Sequence, residues 1–140
     1  MILIVDDAPE NLISLKKVLE KNDFEVDTAS SGEEALKKIL KKSYVLIILD
    51  VQMPGMDGFE VAEAISGYSK AKETAIIFLS AASANLNLIT KGYSSGGLDY
   101  ISKPVDINIL LLKVKTFYRI YEQSRALNEM QIALREEIEF

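Results

Sequence analysis

Residues 44–58 read YVLIILDVQMPGMDG, an apolar run that ends on Asp50 and passes into a loop rich in Pro and Gly. An uninterrupted apolar run this short is a strand covered on both faces, because a half-exposed strand would alternate apolar with polar. The spacing predicts a strand over Tyr44–Leu49 and a loop over 50–58, since Pro54, Gly55 and Gly58 punctuate the chain. Asp50 therefore stands at the carboxyl end of a buried strand.

The same grammar repeats on both sides. Ile2–Val5 is a second apolar run, followed by Asp6 and Asp7. From Pro9 to Lys21 the apolar residues Leu12, Leu15, Val18 and Leu19 fall at helical spacing, and Pro9 suits a first turn. Phe24–Thr28 reads as a strand. Ser31 caps a helix that carries Ala35, Leu36, Ile39 and Leu40. After the loop come a short helix over Gly58–Ser66, a polar linker over Gly67–Lys72, and a strand over Ala75–Leu79. A weaker helix is expected from Asn85 to Ser94, then a Ser-Ser-Gly-Gly stretch at 94–97 and a strand over Leu98–Ser102. Pro104 ends that strand, and Asp106 caps a final helix.

Apolar strands alternating with helices predict an α/β domain with a parallel sheet covered on both faces. Ligands of such open sheets sit beyond the carboxyl ends of the strands. Asp6, Asp7, Asp50, Ser80 and Lys103 all fall at strand ends, so residues distant in sequence are predicted to share one edge.

Composition narrows the chemistry. The 140 residues are 49% hydrophobic and 26% charged, which is globular. A net charge of -5 argues against non-specific binding to nucleic acid or anionic membrane. Met1–Val5 is too short for a signal peptide, and no apolar run approaches the roughly 20 residues of a membrane span. The expectation is a cytoplasmic protein. There is no cysteine, and no histidine to act as metal ligand, general base or phosphocarrier. Three aspartates at one edge repel one another, and a hard divalent cation relieves this. Magnesium suits a site with few carboxylates, because it retains waters and shares phosphate oxygens. A carboxylate nucleophile beside magnesium and Lys103 is a reasonable phosphoryl-transfer site.

The sequence resembles the receiver domains of two-component response regulators over about residues 1–120. The resemblance is carried by ILIVDD at 2–7, LIILDVQMPGMDG at 46–58, IIFLSA at 76–81 and GGLDYISKP at 96–104, in that order and spacing. It implies a doubly wound, flavodoxin-like five-stranded parallel sheet of order 2-1-3-4-5. It also implies that Asp50 is the phosphoacceptor. Asp7, the Asp50 carboxylate and the Gln52 backbone carbonyl would bind Mg2+ directly, with Asp6 acting mainly through water. Ser80 and Lys103 would contact the phosphoryl group, Tyr100 would be the aromatic switch residue, and Pro104 would follow a cis bond. The implied partner is a histidine kinase or a histidine phosphotransfer protein. Gly97 stands where the family commonly has Ala, and Ser80 where Thr is commoner. A conventional enzyme is not expected beyond self-phosphorylation from a donor and hydrolysis of the chain's own phosphoryl group.

Ser80 also reads as a turn or cap residue, and Tyr100 as a packed strand tyrosine. Asp57 reads as serving the turn or the next helix rather than the metal. A phosphatase of the haloacid dehalogenase type also uses an aspartate and magnesium, but it places an acid two residues after the nucleophile, where this chain has Gln52. A degenerate receiver that only dimerises is the other alternative.

The segment from Asp106 to Phe140 contains neither Gly nor Pro, and as one helix would run about 50 Å. Ile107, Leu110, Leu111, Val114, Phe117 and Tyr121 suit packing on the sheet. Residues 121–140 are expected to form a helical extension, with Ile120, Leu127, Met130, Leu134 and Ile138 as an approximate heptad stripe. The implied outcomes are a coiled-coil homodimer and a linker to an output domain; a frayed or folded-back tail is the alternative. The pattern still runs at Phe140, which reads as a piece cut from a longer protein. The tail's net charge of -3 and the lack of a basic patch disfavour DNA contact.

Overall fold

The structure, a computed structural model, describes residues 1–81 and 99–139. The helix expected over Asn85–Ser94, the 94–97 stretch, Leu98 and Phe140 lie outside them. The elements are β1 (Ile2–Val5), α1 (Pro9–Lys21), β2 (Val26–Ala29), α2 (Gly32–Lys41), β3 (Leu46–Asp50), α3 (Gly58–Ser66), a 3-10 turn (Ser69–Ala71), β4 (Ala75–Ala81), β5 (Asp99–Lys103) and α4 (Ile107–Glu139). The strands form one parallel sheet of order β2-β1-β3-β4-β5. The doubly wound α/β fold is as expected from the sequence.

Strand alternation explains why the central strands are apolar throughout. Leu3, Val5, Ile47, Leu49, Ile76 and Phe78 pack against α2 and α3 through Ala35, Ile39, Phe59, Val61 and Ile65. Their sequence neighbours Ile2, Ile4, Leu46, Ile48, Ile77 and Leu79 pack on the opposite face against Leu15 and Leu19 of α1 and Leu110 and Val114 of α4. Successive side chains point to opposite faces, so a sheet covered twice has no place for a polar alternate.

Several boundaries move. β2 begins at Val26, not Phe24, because Asp23 adopts φ 68° and the Phe24 amide donates to Leu19 O at the end of α1. Phe24 thus closes the first helix, with its ring 5.0 Å from that of Tyr118. β3 begins at Leu46 and includes Asp50, and β4 and β5 extend to Ala81 and Lys103. The polar linker contains the 3-10 turn.

The caps follow the local chemistry. Ser31 Oγ accepts from the Glu34 amide, and Asp106 accepts from the amides of Asn108 and Ile109. Asp57 and Glu60 form a reciprocal capping box at the start of α3, which is the role expected of Asp57. Among the described residues no helix is long and apolar enough to cross a membrane.

Two substitutions separate packing from capping. Ile48→Ala removes a fully buried side chain between two covered layers and is expected to cost about 2–5 kcal/mol. Asp57→Ala is expected to cost about 1 kcal/mol. Urea denaturation of both variants measures this; similar losses would mean that the sheet core does not dominate stability.

Candidate functional site

The parallel register carries the polar strand ends to one edge. Val5 pairs with Leu49, and Asp50 pairs with Leu79, so Asp6 and Asp50 emerge side by side from the two central strands. Ser80 pairs with Ser102 and Ala81 with Lys103, which brings the end of β5 level with the same edge.

Asp6, Asp7 and Asp50 come together there. One carboxylate oxygen from each lies within 4.8 Å of the others. Asp6 and Asp50 are 1% and 4% exposed, while Asp7 faces solvent. Three hard oxygen donors of this kind fit a small divalent cation, and the open Asp7 side suits an ion that keeps part of its water shell.

Lys103 supplies the opposing charge. Its Nζ lies 3.1 Å from Asp50 Oδ1 and 3.8 Å from Asp6 Oδ2. The Gln52 amide also donates to Asp50 Oδ1, at 3.3 Å. Burial pushes the Asp50 carboxyl above its ordinary value; the Asp6 charge adds to that push, and Lys103 and the Gln52 amide oppose it. The chain at the edge is therefore arranged to hold Asp50 away from water and beside a cation.

Two supporting features escaped the sequence reading. Asp6 is held by the Ala8 amide at 2.9 Å and by Asn11 Nδ2 at 3.2 Å. The available signal was a polar residue in the first turn after an acidic pair. Gly58 is the other: a Cβ there would lie 2.3 Å from the Asp50 carbonyl oxygen. The start of α3 thus packs directly on the backbone of the acidic strand end, and the Gly58 amide donates to Val51 O at 3.0 Å.

Ser80 is buried, one residue beyond the register partner of Asp50. Tyr100 is half-buried, and its ring centroid is 5.3 Å from Phe78, which in turn lies 5.1 Å from Phe59. By strand alternation Ser80, Phe78 and Tyr100 belong to the face covered by α2 and α3. Pro104 follows a cis peptide bond. A cavity of about 550 Å3 opens beside Asp6 and Lys103, with Asn11, Leu15, Leu79 and Val105 in its walls.

The raised Asp50 carboxyl has a consequence for stability. A carboxyl raised on folding favours the fold below its unfolded value near 3.8, and that contribution is lost as pH rises through the folded value. Without divalent cations at pH 7, Asp50→Asn is expected to melt above the parent chain, with the gap closing toward pH 4. Added magnesium should raise the parent's melting temperature and leave the variant's nearly unchanged. A lower-melting variant at pH 7 would show that the Lys103 contact outweighs burial.

Residues 2–115 match the response regulator receiver domain family. The transcriptional regulatory protein SrrA of Staphylococcus aureus (strain NCTC 8325 / PS 47) is 37% identical over 139 residues, covering 99% of this chain and 56% of that protein. The chain thus spans little more than half the length of these curated relatives. The chemotaxis protein CheY4 of Vibrio cholerae has a similar structure, with TM-score 0.78 and 32% identity over 83% of this chain and 96% of that one. A two-component response regulator from Clostridium difficile has TM-score 0.78 and 32% identity over 84% of this chain and 94% of that one. A match over this much of the chain makes this protein a member of the response regulator receiver domain family.

Proposed function

We propose that the chain is a phosphoacceptor switch in which Asp50 receives a phosphoryl group from a phosphohistidine on another protein. The observation that carries this is the buried Asp50 carboxylate, within 4.8 Å of Asp6 and Asp7 and 3.1 Å from the Lys103 ammonium. The chain holds no histidine, so the donor imidazole belongs to a partner, a histidine kinase or a histidine phosphotransfer protein. Such partners, and a cytoplasmic setting, follow from the family reading.

In this reading an Asp50 carboxylate oxygen attacks phosphorus in line. The phosphorus–nitrogen bond breaks, its electron pair returns to the imidazole, and an acyl phosphate forms on Asp50. Asp6, Asp7, Asp50 and the Gln52 carbonyl would hold Mg2+, which when bound supplies positive charge to the phosphoryl oxygens. Lys103 moves from the Asp50 carboxylate to a phosphoryl oxygen, keeping an ammonium where negative charge collects. The cavity beside Asp6 and Lys103 gives the donor's side chain a route to the edge. The new group carries about -1.5 to -2 charges at neutral pH. The Ser80 hydroxyl donates to it, and the shift of Ser80 repacks Phe78 and Tyr100 on the same sheet face. The result is a change of population between two arrangements of that face. Turnover is confined to the chain's own phosphoryl group, whose hydrolysis the same edge assists.

Acetyl phosphate with magnesium tests this by intact mass. The parent chain is expected to gain one phosphoryl group and Asp50→Asn none. Lys103→Ala should gain it at least a hundredfold more slowly. The part of the tyrosine fluorescence change in a beryllofluoride titration that Tyr100→Phe removes should report the repacking, and Ser80→Ala should blunt that response. A parent chain that takes up nothing would point to a module that only associates. Steady hydrolysis of many phosphomonoesters would point to a phosphatase.

A further inference from the structure

Asn11 touches the acidic edge without being one of its charges. Its Nδ2 donates to Asp6 Oδ2 at 3.2 Å, and the Ala8 amide donates to Asp6 Oδ1 at 2.9 Å. Asp6 is buried, so solvent supplies little in place of either donor. The Asn11 side chain is not used as a cap. The cap position of α1 is Ala8, and the amide reaches out of the helix to Asp6 instead.

The same oxygen of Asp6 has another donor in reach. Lys103 Nζ lies 3.8 Å from the Oδ2 that Asn11 holds, and 3.1 Å from Asp50 Oδ1. Two buried carboxylates compete for one ammonium, and the distances show which of them has it. The Asp50 contact is a hydrogen bond, whereas 3.8 Å is beyond one. Asp6 has a neutral donor on each oxygen and does not need the lysine. A buried carboxylate oxygen stripped of its donor is costly, and a charge-assisted bond is the strongest replacement. Removal of the Asn11 amide therefore draws Lys103 the remaining distance to Asp6. Asn11, Asp6 and Lys103 share the wall of one cavity, which leaves the lysine room for that move. An ammonium held between two carboxylates is less able to follow new charge on Asp50.

The neutrality of Asn11 matters as well. A lysine or arginine at this position could also satisfy Asp6, but it would add a positive charge beside three carboxylates, against which a metal ion would have to bind. Asparagine satisfies the oxygen and leaves the charge of the edge unchanged.

We infer that Asn11 is a positioning residue of the acidic edge: by giving Asp6 a neutral donor, it keeps the Lys103 ammonium on Asp50, free to pass to a phosphoryl oxygen there. The consequence for phosphoryl uptake rests on the phosphoacceptor reading. The placement of Lys103 is tested without a phosphoryl group.

Magnesium is titrated calorimetrically at pH 7 into the parent chain, Asn11→Leu, Lys103→Ala and the double variant. Leucine branches at Cγ as asparagine does and carries no donor. With Lys103 drawn onto Asp6, the magnesium affinity of Asn11→Leu is expected to fall about tenfold. In the Lys103→Ala background the same change leaves an Asp6 oxygen unpaired and open to the ion, so affinity is expected to hold or rise. A merely structural role for Asn11 would weaken binding in both backgrounds alike. Asn11→Ala gives the same comparison should leucine disturb the start of α1. Phosphoryl uptake from acetyl phosphate at saturating magnesium should slow about tenfold in Asn11→Leu, and no further when that change is added to Lys103→Ala. Equal losses in both backgrounds, or no loss from Asn11→Leu in a parent chain that binds magnesium, would overturn the inference. A parent chain that binds no magnesium would overturn the cation site, and the inference with it. A Lys103-dependent loss of magnesium in a chain that takes up no phosphoryl group would sink the phosphoacceptor reading and support the placement of Lys103.

Discussion

Carboxylates crowded at the end of a parallel sheet need compensation, and most of the site's design answers that need. Asp6 and Asp50 leave adjacent central strands and are buried, so water screens them poorly. Asp6 is steadied by two donors from the start of α1, the Ala8 amide and Asn11. Asp50 receives the Gln52 amide and the Lys103 ammonium, yet its carboxyl still stands above its ordinary value. The local donors therefore offset only part of the burial cost. Three carboxylates gathered this way are a group that could hold a metal ion.

The position of Lys103 follows from the sheet order. With β4 between β3 and β5, a lysine at the end of β5 is two strands from Asp50. A shorter side chain would not span that gap; the four-carbon stem does, arriving at 3.1 Å. The same strand carries Tyr100 toward the other face, beside Phe78. One strand thus presents its cation to the acidic edge and its aromatic ring to the core under α2 and α3. The lysine and the aromatic ring are separated by sheet thickness but joined through the backbone of β5.

The parts of this arrangement that follow from period and punctuation were legible in the sequence. ILIV at 2–5 and LIIL at 46–49 are apolar at every position, and this alone requires cover on both faces. The strand-end location of Asp6, Asp50, Ser80 and Lys103 came from the same reading, while their assigned roles came from family resemblance. What stayed hidden depends on distances between remote residues. Phe24 has the composition of a strand residue, and only the turn at Asp23 shows that it closes α1. The one local hint of Asn11 as a partner of Asp6 is a polar residue in the first turn after an acidic pair, and nothing local marks Gly58 as the contact on the Asp50 carbonyl. The last helix was legible as a helix, but its exposed stripe was read as starting beyond the domain. The buried face had to be located by Leu110 and Val114 before Ile109 and Leu112 could be seen to belong to the other side.

That two-sided helix is joined to the acidic edge by a short stretch of chain. β5 runs from Asp99 to Lys103 and enters α4 at Ile107 after Pro104. Asp99 at the start of the strand also grips Lys113 one and a half turns into the helix, at 2.5 Å. Strand and helix are therefore linked both along the chain through Pro104 and across it by this ion pair. Lys103 and Tyr100 lie inside that tied segment. Ile109 and Leu112 stand on the outer side of the same helix that Lys113 ties to that strand. That helix runs without a break from Ile107 to Glu139, through the half the domain covers and the half it leaves exposed alike.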